Sequence, residues 1–124
     1  MDAVITVIQV VLSLFAGGGL LKLATPYAKY LKLPAQGWSK DFKPWHVKLI
    51  GVLEVSGGVG MIVPLLLPSL RMLMPLAAVG IALVMSGAMA THLRRAEYPL
   101  MVGNLVYLGL ALFVAYNRLV GFAV

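Results

Sequence analysis

Apolar positions fill four long stretches of the chain, approximately residues 3–23, 47–66, 71–93 and 98–119, each interrupted by only isolated polar residues. A helix needs about 20 such residues to cross the hydrocarbon core of a bilayer. The pattern therefore predicts an all-α membrane protein: an antiparallel bundle of four transmembrane helices forming a single domain over residues 1–124. The first stretch follows acidic Asp2 rather than a basic segment and runs past signal-peptide length without a cleavage pattern, so it is read as a retained span.

The connections differ in size. A tight turn near Pro68-Ser69 joins the second and third stretches, whereas residues 24–46 form the one sizeable connection. Within it "TPYAKYLKLP" predicts a short helix, with Thr25 as N-cap, Pro26 in the first turn and Pro34 closing it. Tyr27, Tyr30 and Leu31 alternate with Lys29 and Lys32, a pattern suited to the membrane surface. Trp38, Phe42 and Trp45 then form an interfacial belt, with His46 beside them. Two readings of this connection stay open: a loop with aromatic anchors, or a lid over a site.

Charge sharpens the topology. Only 11% of residues are charged, against roughly a quarter in soluble domains. If the spans alternate, eight basic residues fall on the side of the long connection: Lys22, Lys29, Lys32, Lys40, Lys43, Lys48, Arg94 and Arg95. Arg71 and Arg118 fall on the other. The positive-inside rule makes the basic side cytoplasmic and places both termini outside. The net charge of +6 thus reports topology, and no stacking platform or recognition helix points to nucleic acid. With no cysteine, disulfides and thiolate chemistry are excluded.

The candidate chemistry lies at one depth. Counting about 1.5 Å of rise per residue puts Lys22, Glu54, His92 and Asn104, one from each span, in the cytoplasmic half. An ionisable group facing lipid costs several kcal/mol, so these four are expected to converge inside the bundle. Tyr107 shares the Asn104 face and adds a hydroxyl. Gly51 and Gly58 share the Glu54 face, Gly57 and Gly60 broaden it, and Gly18 shares that of Lys22, surfaces suited to close helix packing. Each polar residue has a plainer alternative: Glu54–Lys22 as an internal ion pair that fixes helix register, His92 as an interfacial residue at a helix end, Asn104 as an interhelical hydrogen bond. No HxxxH or ExxH spacing preorganises a metal site, and none is expected. Nucleophile elbows and phosphate loops are likewise missing, and the seven methionines read as fillers.

The segments "FAGGGLLKL" (Phe15, Gly19, Lys22), "IGVLEVSGGVG" (Gly51, Glu54, Gly57, Gly60) and "PLAAVGIALVMSGAMATHLRR", followed by Asn104, resemble the DoxX-like family across all four spans. The resemblance implies a compact four-helix bundle of the bacterial inner membrane. It does not imply one activity: relatives in the wider group are associated with thiosulfate:quinone oxidoreductase and with membrane complexes handling oxidative stress, and distant animal relatives act as receptor chaperones. The family pattern matches Lys22, Glu54, His92 and Asn104 here.

Two functions are expected to compete. One is a non-enzymatic accessory or assembly factor, a chaperone whose small-residue faces and amphipathic connection dock a membrane-protein partner; a homo-oligomer is also among the expected assemblies. The other is a quinone- or lipid-binding subunit of an oxidoreductase complex, with the head group near Glu54. The first is preferred because no residue set completes a catalytic mechanism. A proton-coupled small exporter ranks third, since the glutamate lies in the second span and the charge bias fixes one orientation.

Overall fold

A computed structural model describes residues 2–34 and 36–123, except for the side chains of Asp2, Phe15 and residues 121–123. The described residues are helical over the predicted spans, apart from a break at Leu14 and a later start of the third at Leu73, and contain no strand. Four segments are long and apolar enough to cross a membrane: Ala3–Ala24, Pro44–Leu66, Leu73–Arg94 and Tyr98–Val120.

The first span consists of two helices, α1 (Asp2–Ser13) and α2 (Phe15–Ala24). They meet at Leu14, where backbone bonds tighten: Leu14 N–H donates to Val11 O and Gly17 N–H to Leu14 O, both three residues back. At the far end of α2, Lys48 acts as a cap from another helix. Its ammonium donates to the carbonyls of Lys22 (2.6 Å), Leu23 (3.2 Å) and Thr25 (2.7 Å), satisfying acceptors that a helix C-terminus leaves open.

The helix expected in the connection is shorter than its sequence suggested. Only Tyr27–Tyr30 (α3) is helical, its N-cap is Pro26, and Thr25 instead ends α2 in an extended conformation. A 3-10 helix, Gly37–Asp41, follows. The next helix, α4 (Pro44–Leu66), begins ahead of the predicted position because Pro44 preorganises its first turn and His46 Nδ1 accepts from the Lys43 N–H. A 3-10 turn at Pro68–Leu70 leads to α5 (Leu73–Arg94), and α6 (Tyr98–Ala123) completes the chain.

α2 packs along α4, α4 against α5, and α5 along α6, while the first span reaches α6 mainly through α1. The apolar core, including Ile5, Leu12, Met61, Ile81, Ala111 and Val114, is therefore concentrated where α1 meets the other helices. Large apolar side chains such as Leu14, Leu66, Leu76, Leu83 and Tyr116 cover the outside, a surface stable only against hydrocarbon. The chain is an integral membrane protein.

Candidate functional site

Glycine contacts set the spacing of α2 and α4. A Cβ on Gly19 would stand 2.6 Å from Gly51 O, and one on Gly51 2.9 Å from Gly19 O, so the two backbones touch. Gly58 makes an equally close contact with Ser13 and Ala16, and Gly57 with Ile81. Gly18 does not share this role: a Cβ there would meet Glu54 Oε2 at 3.4 Å, an ordinary contact.

This close approach delivers Lys22 to Glu54. Nζ and Oε1 are 2.6 Å apart, and the residues are only 8% and 4% exposed. The contact is a short, charge-assisted ion pair. Other sides of the ammonium face the rings of Tyr30 (5.8 Å) and Trp38 (5.7 Å), whose π faces attract a cation.

Those rings come from the long connection, which folds over this end of the bundle. Gln36 Oε1 accepts from both Tyr30 Oη (2.8 Å) and Trp38 Nε1 (2.9 Å), locking the two together. Tyr27 Oη donates to the carbonyls of Ser39 and Phe42, holding the 3-10 segment to α3. Burial pushes the Tyr30 phenol above its ordinary pKa, with Lys22 pulling the other way, so it remains a neutral donor. Trp38 lies edge-on to His92 and Phe42, whereas Trp45 is exposed, with His46 stacked on it at 3.7 Å.

His92 is buried at the end of α5. The chain reverses there through a Schellman turn: Glu97 N–H donates to His92 O (2.8 Å), Ala96 N–H to Leu93 O (3.1 Å), and Ala96 takes a left-handed φ of 56°. That turn sets the Glu97 carboxylate 2.9 Å from His92 Nδ1. Arg95 bridges Glu97 (3.1 Å) to Asp41 (3.2 Å), tying the connection to the α5–α6 turn. The hydrogen bond from His92, with Arg95 beside it, holds the Glu97 carboxyl below the usual carboxylate range.

Between these groups lies a cavity of ≈ 650 Å³. Lys22, Glu54, His92, Asn104, Gln36 and Trp38 form its polar end, and Ile50, Leu53, Leu83, Val84, Met85 and Leu100 are among its apolar walls. Asn104 Nδ2 is buried without a hydrogen-bond partner. Tyr107 is not a wall residue; it is half-buried against the apolar core. Among the described residues no group of three or more His, Asp or Glu gathers as metal ligands would.

The opposite end of the bundle holds a polar cluster that residue spacing did not reveal. Gln9, fully buried, donates to Met61 O (2.8 Å) and Met74 Sδ (3.2 Å) and accepts from Arg118 Nε, while Arg118 also reaches Thr6 Oγ1 (3.3 Å). A glutamine inside an apolar run was the available signal; its partner on the last helix was not readable. Gln36 and Glu97 were missed similarly, because Gln36 acts through Tyr30 and Trp38 of the folded connection and Glu97 through His92 and Arg95 across the α5–α6 turn.

No curated protein and no solved structure matches the chain. The family model described as the DoxX-like family matches residues 5–114, from the first span into the fourth. That match covers the Lys22–Glu54 pair, the cavity and most of the core, and the chain belongs to the DoxX-like family.

Proposed function

We propose that the protein binds a lipid-soluble amphipathic molecule, of quinone or lipid type, in the cavity under the connection, its polar end toward Glu54, Lys22, His92 and Asn104. The cavity carries this reading. Its volume lies within the roughly 300–1,000 Å³ usual for small-molecule sites, and apolar walls converging on a few polar groups are their usual form. Leu53 and Leu83 both line it and are exposed on the helix exterior, which supports entry from the hydrocarbon. No catalytic step is assigned. Native mass spectrometry of the chain extracted from membranes is expected to show a one-to-one adduct that is lost in Ala88→Phe, which fills the cavity. An adduct-free chain, or an adduct indifferent to that change, overturns the reading.

A second reading, an accessory factor for a membrane partner, draws support from a different surface. Gly51, Gly57 and Gly58 are consumed inside the bundle, but Gly80 on α5 and Gly103 and Gly109 on α6 lie outside the cavity and have nothing within 4 Å of an added Cβ. Such positions admit the backbone of another helix. Cross-linking in membranes that captures one partner, or a second copy, and fails in Gly103→Leu supports this reading; capture unaffected by that change removes it. Proton-coupled export is disfavoured because Lys22 already neutralises Glu54.

Both readings use one antiparallel four-helix unit, which the contacts support: Gly19 meets Gly51, Ala16 meets Gly58, and Gln9 meets Met61, one number falling as the other rises. The basic connection supports a cavity end at the cytoplasmic face of a bacterial inner membrane, with the termini outside.

A further inference from the structure

The polar end of the cavity holds balanced charge. Lys22 is paired with Glu54 and flanked by the rings of Tyr30 and Trp38. Behind His92, Glu97 is paired with His92 and Arg95, and Arg95 with Asp41. Arg94 also borders the space, but it is exposed, where water solvates it. An entering anion would have to compete with Glu54 for Lys22, and an entering cation with Lys22 for Glu54. Either leaves a buried ion without its partner, which is strongly unfavourable.

The enclosed groups do offer hydrogen bonds. Asn104 Nδ2 has no acceptor, and the two oxygens of the Glu54 carboxylate keep lone pairs beyond the one contact that Oε1 makes with Lys22. A rotation about the Asn104 side-chain torsion turns its amide toward the cavity it lines.

We propose that the site selects an uncharged head group that both accepts and donates hydrogen bonds, such as a hydroxyl-bearing ester, amide or ketone on an apolar chain. Its carbonyl accepts from Asn104 and its hydroxyl donates to Glu54, while the Lys22–Glu54 pair stays intact. This rests on the ligand-binding reading and adds the chemistry of the ligand.

The test offers the full-length chain, in neutral maltoside micelles at mildly alkaline pH, equimolar 1-monoolein, oleate and oleylamine. Native mass spectrometry then reads which is retained. Monoolein is expected to exceed each charged probe by at least about tenfold, the weight of one buried hydrogen bond to a charged group. Asn104→Leu, which changes no charge, should lower monoolein retention several-fold. Glu54→Gln leaves Lys22 unbalanced and should turn the preference to oleate; should that variant not fold, the unaltered chain and Asn104→Leu decide. Oleate or oleylamine retained as well as monoolein overturns the head-group proposal and leaves the binding site standing. Retention of none of the three overturns both.

Discussion

The two ends of the bundle each bury polar groups among apolar helices, yet they use them differently. At the end of the termini, Gln9 spends both ends of its amide on Met61, Met74 and Arg118, and the surrounding helices close around it. Beneath the connection, the charges of Lys22 and Glu54 cancel, while Asn104 Nδ2 stays unpaired beside a cavity. A polar side chain inside a membrane bundle therefore does not itself mark a site. Hydrogen-bonding capacity left over beside open space is the better guide.

The sharpest way to break the contrast is to remove one ion. Lys22→Met strands the Glu54 carboxylate and should cost about 3–5 kcal/mol in a reversible unfolding assay, whereas Lys22→Met with Glu54→Leu should recover most of that loss. If the double variant is no more stable than the single one, the pair is not what Lys22 contributes.

Steric substitutions come next. Gly19→Val and Gly58→Val should each cost about 1–3 kcal/mol, since their Cβ positions are already occupied. Gly109→Ala, in open space on α6, should instead be neutral or stabilise by up to about 1 kcal/mol. At the other end, Gln9→Leu should cost about 1 kcal/mol, the scale of hydrogen bonds between membrane helices, and leave retention of amphiphiles unchanged. A ligand effect from Gln9→Leu would show that the two ends are not independent.

The smallest effect concerns pH. Because Glu97 is held below its ordinary pKa, its contribution is fully present above about pH 4.3, the unfolded carboxyl value, and is lost as pH falls through the lower folded value. The stability difference between the unaltered chain and Glu97→Gln should thus be flat near neutrality and shrink in acid. A difference constant throughout the acid range would remove the His92–Glu97 contact from the account.

The spans could be read from sequence because lipid makes one demand of every side chain facing it, and long apolar runs answer that demand. Depth alone also brought Lys22 near Glu54, since rise per residue is nearly constant in a helix. A shared helix face proved too coarse for Tyr107: it stands one turn beyond Asn104, and that turn carries it past the cavity to the apolar core. Trp38 and Trp45 read alike in the sequence, and what separates them is the Gln36 hydrogen bond and the Lys22 and His92 contacts that draw Trp38 inward. The interruption at Leu14 has no proline to announce it.

That interruption divides the labour of the first span. α1 is fastened toward α6 through Thr6, Gln9 and Arg118, whereas α2 is fastened to α4 by its glycine contacts and the Lys48 cap. Leu14 is thus the point at which the span changes partners, and the two halves of one membrane crossing answer to different ends of the bundle.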